Sequence, residues 1–195
     1  MTTALKPKLV ILISGRGSNM QSIVKAIQVN ELDAEVAAVI SNCPNAAGLE
    51  FAQQSDIATR ILDHKAFTSR EAFDEQLMKL IDSFVPDYVV LAGFMRILSA
   101  GFVKHYANKL INIHPSLLPK FKGMHTHKRA IEAGEKEHGA TVHFVTEELD
   151  AGPIILQAKV PILENDTEDT LAARVLIEEH KLYPDALRLL IQQQN

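Results

Sequence analysis

The sequence has no tryptophan and little cysteine, since Cys43 is the only cysteine among its 195 residues. A single thiol excludes a disulfide within the chain and favours a reducing compartment. The neighbouring residues from Ser41 to Pro44 supply no base that would activate the thiol as a nucleophile. We therefore interpret Cys43 as an incidental thiol.

The chain also lacks an excess of basic charge and any long apolar run. Its formal net charge is −4, whereas a general nucleic-acid binder usually shows a basic surface. No apolar segment approaches the roughly 20 residues that a membrane-spanning helix needs. The stretch from Met1 to Pro7 is too short and polar to lead a signal peptide. We expect a cytoplasmic protein without nucleic-acid or membrane partners, and the sequence leaves its oligomeric state open.

The composition that is present, 47% hydrophobic and 23% charged residues, is that of an ordinary globular protein. We expect a single domain over residues 1–195. Within it, the half over about 1–105 would bind a nucleotide phosphate, and the half over about 106–195 would carry the chemistry.

Short apolar runs predict the strands of an α/β sheet. The nearly continuous run from Lys8 to Ser14 is typical of a strand buried on both faces of a parallel sheet. Further strands separated by helical patterns predict a doubly wound, mostly parallel, Rossmann-like sheet. These strands are expected at Glu35–Ser41, Ile57–Leu62, Tyr88–Ala92 and Lys109–His114. The strands Gly139–Val145 and Ile154–Val160 have no helix between them, which predicts an antiparallel C-terminal portion.

Local signals also predict where helices begin and end. Residues Thr68 to Glu71 have the pattern of a capping box. A helix is expected from His125 to its terminal glycine, Gly134, and Glu135–His138 is expected to be a solvated turn. Pro184 is expected to kink or split the last helix.

The turn Gly15-Arg16-Gly17-Ser18-Asn19 joins the first strand to the first helix. Backbone N–H groups at the positive end of a helix dipole suit a phosphate. Met20 stands where a dinucleotide fingerprint has its last glycine, and no Lys-Ser/Thr pair follows, so neither a dinucleotide nor a nucleoside triphosphate is favoured. The alternative is that Ser18 is a plain N-cap.

Polar side chains mark the end of the central strand. Asn112 and His114 lie two apart and share a face, and Pro115 ends the strand. An amide beside an imidazole suits the stabilisation of an oxyanion and the movement of a proton. Asp150 follows a later strand in a turn. The alternatives are a hydrogen-bonded buried pair for Asn112 and His114 and an Asx turn for Asp150.

Two long motifs resemble the folate-dependent formyltransferases. One is N-I-H-P-S-L-L-P-x-x-x-G over Asn112–Gly123, and the other is G-x-T-V-H-x-V-x-x-x-x-D-x-G-P-I-I-x-Q over Gly139–Gln157. The resemblance covers nearly the whole chain and is strongest to members that formylate glycinamide ribonucleotide in purine biosynthesis. It implies 10-formyltetrahydrofolate as the formyl donor and no metal. Ala151 stands where close relatives often have glycine.

The resemblance also implies roles for particular residues. Asn112, His114 and Asp150 would form the catalytic trio, and Glu179 would approach the ribose and glycinamide part of the substrate. The substrate phosphate would be bound by Gly15, Gly17, Ser18 and Asn19. The folate would be bound by Arg70, Met95, Arg96, Ile97, Leu98, Asn112, Val145, Leu149 and Asp150.

Several alternatives stay open at this point. Within the family, the sequence disfavours a formyltransferase acting on tRNA, because the chain lacks the basic charge for RNA. A formyltransferase acting on a sugar-nucleotide amine is harder to distinguish from one acting on glycinamide ribonucleotide. Outside it, the glycine turn alone would also fit a nonenzymatic nucleotide-binding module. A metal site is disfavoured, because His125 and His127 would point about 200° apart on a helix.

Overall fold

The computed structural model describes residues 5–193, so the expectation about a leader in the first few residues falls mostly outside it. The strands form one sheet. They are β1 (Lys8–Ile13), β2 (Glu35–Ser41), β3 (Thr59–Ile61), β4 (Tyr88–Leu91), β5 (Leu110–His114), β6 (Glu137–Phe144) and β7 (Ile154–Pro161). Their spatial order is β3-β2-β1-β4-β5-β6-β7.

The sheet is parallel from β3 through β5 and antiparallel from β5 through β7. Both parts of the sequence-based prediction are therefore confirmed. The antiparallel part follows from the short loop between β6 and β7, which leaves no room for a helical crossover. The strand order changes direction between β1 and β4, and open α/β sheets bind their ligands at such a point, beyond the carboxyl ends of the strands.

Helices cover both faces of the sheet. They are α1 (Ser18–Gln28), α2 (Gly48–Gln54), α3 (Arg70–Asp82), α4 (Ala100–His105), α5 (Thr126–Glu132) and α6 (Glu168–Gln193). In β1, Leu9, Ile11 and Ile13 face α1, α2 and α6, whereas Val10 and Leu12 face α3 and α4. This alternation is why the strand is apolar at every position. Of the helices within residues 5–193, none has the length and apolar character needed to cross a membrane.

Two expected helix boundaries are wrong. The N-cap of α3 is Ser69, not Thr68, and its hydroxyl accepts from the Ala72 N–H. Glu71 consequently lies one position too early for a capping box. His125 does not belong to α5 but precedes it as a left-handed N-cap with φ 56°.

The last helix continues through Pro184 and is not split. The reason lies in its packing, because Tyr183 is fully buried and the carbonyl oxygens of Leu91 and Ile111 share its single hydroxyl hydrogen, at 2.9 and 3.1 Å from the hydroxyl oxygen. The helix is thereby attached to β4 and β5 next to the proline. Burial of its apolar face offsets the backbone hydrogen bond that the proline removes.

The prediction of a solvated turn at Glu135–His138 is also wrong for its last two residues. Glu137 and His138 belong to β6, where they pair with Pro161 and Val160 of β7. His138 is only 1% exposed. The polar composition suggested a turn, but strand pairing with β7 placed His138 in the interior.

Candidate active site

Two neighbouring cavities open at the carboxyl ends of the central strands. The turn cavity has a volume of about 260 Å³. It is lined by Ser14, Gly15, Arg16, Gly17, Ser18, Asn19, Ala92, Gly93 and Met95. The strand-end cavity has a volume of about 290 Å³ and lies beyond β4 and β5. Its lining includes Leu91, Phe94, Arg96, Ile97, Leu98, Asn112, His143, Val145, Leu149 and Asp150.

The residues predicted to bind folate do not all line the same cavity. Most of them line the strand-end cavity, but Met95 lines the turn cavity and is 76% exposed. The Met95 N–H donates to the Ser14 hydroxyl, which draws this part of the chain toward β1. Arg70 lines neither cavity and pairs with Glu71 at the start of α3. The folate roles of Met95 and Arg70 therefore have less geometric support than those of the other residues.

The glycine turn leaves the start of α1 open. Gly17, not Ser18, is the N-cap, and no side chain caps the helix, so the alternative reading of Ser18 as N-cap is wrong. Gly17 has φ +63°, a conformation that residues with a Cβ rarely adopt, and an added Cβ would lie 3.1 Å from Met20 Cε. The first N–H groups of a helix have no acceptor within the helix. They are available to an anion in the turn cavity.

Gly48 supports this turn, although no sequence signal had marked it. Its N–H donates to the Gly15 carbonyl at 3.0 Å. A Cβ at this position would lie 2.9 Å from the Arg16 carbonyl oxygen and 2.7 Å from Ile13 Cδ1. A side chain on the first residue of α2 would therefore push the glycine turn out of place.

Glu179 of α6 lies next to the same turn. Its side chain accepts from Asn19 Nδ2 at 2.8 Å, and the residue is only 8% exposed. Burial raises the pKa of this carboxyl above its ordinary value, and the Asn19 amide partly opposes that shift. Because one N–H of the Asn19 carboxamide is engaged with Glu179, a contact of Asn19 with a phosphate would use its backbone N–H or the second N–H of the carboxamide.

The three residues predicted to be catalytic meet beside the strand-end cavity. His114 Nδ1 lies 3.4 Å from Asp150 Oδ2, and both side chains are 8% exposed. His114 Nε2 donates to the Phe121 carbonyl at 2.9 Å, while Asp150 Oδ2 also accepts from the Gly123 N–H at 2.8 Å. Both ring nitrogens of His114 therefore face an oxygen, one of the Phe121 carbonyl and one of the Asp150 carboxylate.

His143 is a residue of this site that the sequence analysis did not single out. Its Nδ1–H donates to the Phe144 carbonyl at 2.9 Å, and burial lowers the pKa of the imidazole, which keeps it neutral. Its Nε2 therefore accepts from Asn112 Nδ2 at 3.4 Å. This contact turns the Asn112 NH₂ group toward the cavity and leaves a second N–H available there. The only sequence signal was its position in the second long motif.

The class of protein follows from the fold and this site together with a family match. The sequence family described as formyl transferase matches residues 7–187, and the chain belongs to that family. It is therefore a transferase rather than a nonenzymatic nucleotide-binding module. Within residues 5–193, no group of three or more metal-ligating side chains is arranged to hold a metal ion.

Two of the relatives described here share one name, and a third is named for purine biosynthesis. The phosphoribosylglycinamide formyltransferase of Escherichia coli is 58% identical over 90% of this chain and 83% of its own length. The trifunctional purine biosynthetic protein adenosine-3 of Drosophila melanogaster is 47% identical over 98% of this chain, which spans 14% of that longer protein. The solved phosphoribosylglycinamide formyltransferase of Coxiella burnetii has a TM-score of 0.90 and 52% identity, covering 94% of this chain and 86% of its own.

Proposed function

We propose that this chain transfers the formyl group of 10-formyltetrahydrofolate to the primary amine of glycinamide ribonucleotide, a step of purine biosynthesis. The observation that carries the proposal is the convergence of Asn112, His114 and Asp150 beside the strand-end cavity, which adjoins the turn cavity. The names of the similar proteins support the same acceptor.

The turn cavity would receive the ribonucleotide. Its phosphate would accept from backbone N–H groups of Gly15, Gly17, Ser18 and Asn19 at the open start of α1. Glu179, held by Asn19, would face the ribose and glycinamide part. The N-terminal half of the domain thus supplies most of the phosphate site.

The strand-end cavity would receive the folate. Apolar side chains dominate the walls and a few polar groups are present, as expected for a flat aromatic ligand. Arg96 has its guanidinium carbon 4.9 Å from the Phe73 ring centroid, which holds it along the cavity wall. Folate contacts are proposed for Arg96, Ile97, Leu98, Asn112, Val145, Leu149 and Asp150, with Met95 at the border of the two cavities and Arg70 toward the folate's tail.

The proposed reaction joins the two ligands at the trio. The amine nitrogen attacks the formyl carbon, and the formyl oxygen becomes an oxyanion in a tetrahedral intermediate. The free N–H of Asn112 donates to that oxyanion, and the charge of protonated His114 stabilises it. The bond from carbon to the folate nitrogen then breaks, and the proton lost by the amine passes to that nitrogen. Asp150 holds His114 in place, and its second oxygen, which lies 3.9 Å from His143 Nε2, would relay this proton.

A spectroscopic assay with 10-formyltetrahydrofolate tests the proposal. Glycinamide ribonucleotide should be formylated, whereas the dephosphorylated nucleoside should react with a much higher KM because the turn cavity is then empty. Amines of sugar nucleotides serve as the competing acceptors. Faster turnover of a sugar-nucleotide amine would assign this chain to the alternative acceptor class.

A further inference from the structure

Ser14 connects the ends of three strands. It follows β1, and its N–H donates to the Gly93 carbonyl beyond β4 at 3.1 Å. Its hydroxyl accepts from the Met95 N–H at 2.8 Å and donates to Asn42 Oδ1, beyond β2, at 2.6 Å. The last distance lies in the range of O–H···O bonds and below that of N–H···O bonds, which supports the carboxamide oxygen as the acceptor.

The serine hydroxyl has no hydrogen left for a ligand. Its single proton is donated to Asn42, and one of its two lone pairs accepts from the Met95 N–H. Asn42 is only 3% exposed, and His64 Nδ1 lies 2.9 Å from its backbone carbonyl oxygen and 3.1 Å from its amide nitrogen, so His64 packs directly against the residue that accepts from Ser14. Although Ser14 lines the turn cavity, this geometry makes it a positioning residue and not a phosphate ligand.

The segment that Ser14 holds forms the wall between the two cavities. Met95 lines the turn cavity, while its neighbours Phe94 and Arg96 line the strand-end cavity. The segment is irregular. Phe94 is buried in the core, but Met95 and Ile97 are 76% and 68% exposed, so burial does not hold the Met95 backbone and its hydrogen bond to Ser14 does. A displacement of the Met95 backbone would therefore alter both cavities at once.

We infer that Ser14 couples the two cavities by holding residues 93–98 against the glycine turn, so that a ligand in one cavity strengthens binding in the other. The inference rests on the proposed function, in which the cavities take the ribonucleotide and the folate. A ligand in the turn cavity restricts the motion of the turn next to Ser14. Because Ser14 accepts from the Met95 N–H, the motion of Met95 is restricted as well. The second ligand then loses less conformational entropy on binding, because residues 93–98 are already held in their bound conformation.

Calorimetry measures this coupling with ligands that cannot react. Glycinamide ribonucleotide is titrated into the protein alone and into the protein saturated with tetrahydrofolate, which has no formyl group. The wild type should bind the ribonucleotide at least about fivefold more tightly in the second case, the lower end of the range for coupled sites. Ser14→Ala should reduce this ratio toward one, because it removes both hydroxyl contacts without adding volume.

Two further variants separate positioning from general damage. Asn42→Ala removes the acceptor of the Ser14 hydroxyl and should lower the ratio in the same direction. Ser83→Ala removes a serine hydroxyl that donates to the Leu80 carbonyl, away from both cavities, and should keep the wild-type ratio. Thermal melting identifies any variant that fails to fold, and Asn42→Ala then provides the test if Ser14→Ala is the one that fails.

The results separate the inference from the proposed function. If both ligands bind and Ser14→Ala keeps the wild-type ratio, the inference is overturned and the proposed function stands. If the wild type binds both ligands but neither changes the affinity for the other, the inference is likewise overturned and the proposed function stands. If the wild type binds neither ligand, the proposed function fails and the inference fails with it.

Discussion

The two cavities are built in different ways. The turn cavity is formed mainly by the backbone of one contiguous segment, residues 14–19, at the start of α1. The strand-end cavity depends on side chains from β4 and the segment after it, from β5 and β6, and from the loop before β7, where Asp150 accepts from the Gly123 N–H. A backbone site is sensitive to the conformation of one glycine, whereas a side-chain site is sensitive to the packing of distant segments.

The two regions also differ in their buried ionisable groups. The turn cavity has the Glu179 carboxyl beside it, whose pKa is raised by burial. Near the trio lie the buried imidazoles of His114, His138 and His143. Burial lowers the pKa of His143 and lowers that of His138 to about 4. The trio region should therefore respond more strongly to acid.

The largest effect is expected at Asn112, where the comparison predicts a loss of chemistry without a loss of binding. Asn112→Ala removes the proposed donor to the oxyanion and should lower kcat by about 10²–10³. The dissociation constants of both ligands, measured by calorimetry, should change much less. Asn45→Ala, in an exposed loop after β2, serves as the control and should be as active as the wild type. Near-normal turnover by Asn112→Ala would remove it from the catalytic trio.

The next effect concerns His114 and Asp150 of the strand-end cavity. We expect these two residues to act together in the same catalytic step. Asp150→Asn and His114→Ala should each reduce kcat, because either change breaks the contact of 3.4 Å between them. The double variant should lose less activity than the product of the two single losses. Single-turnover rates of the four proteins measure this. Losses that multiply would mean that Asp150 works apart from His114.

A smaller effect, confined to one ligand, is expected at the backbone site. Gly17→Ala places a Cβ in a left-handed conformation with φ +63°. Strain of about 1–3 kcal/mol should shift the turn and weaken ribonucleotide binding by about tenfold or more. Tetrahydrofolate binding to the protein alone should change little.

Gly101→Ala is the matched control, because Gly101 lies inside α4 and its added Cβ would only approach Ser99 Oγ at 3.9 Å. This variant should bind both ligands normally and be slightly more stable. Equal weakening of both ligands in Gly17→Ala, with the fold intact, would contradict the assignment of the phosphate to the turn.

The effect that is smallest at neutral pH is on stability, because it develops only as the pH drops. The unfolded chain binds a proton at His138 below pH 6.5, but the folded protein does so only near pH 4. Stability should therefore fall as the pH drops from 6.5 to 4, with a slope of up to about 1.4 kcal/mol per pH unit from this residue. His138→Phe removes the titrating group and should show a shallower fall. Urea unfolding at several pH values measures the difference, and parallel curves would show that His138 does not cause it.

Much of the fold was predictable because its signals are local. The apolar run of β1 and the glycine turn after it identified the parallel half, and β2 was predicted with the boundaries that the structure shows. The polar pattern of β5 likewise indicated that Asn112 and His114 share a face. The predictions were wrong for the helix boundaries at Thr68 and His125 and for the turn at His138. At these positions a neighbouring residue or strand determined the local structure. Pairing with β7, for example, buries His138 despite the polar residues around it.

The sequence by itself determined the α/β class, the family and the residue types of the proposed catalytic trio, because periodicity and motif spacing are properties of the chain alone. Only the tertiary structure decided that Met95 lines the turn cavity, that His143 orients Asn112, and that Ser14 joins β1, β2 and β4. The physical reason is that each of these contacts joins segments far apart in sequence. Such contacts depend on where the sheet order and the loops place the chain, which no local pattern specifies.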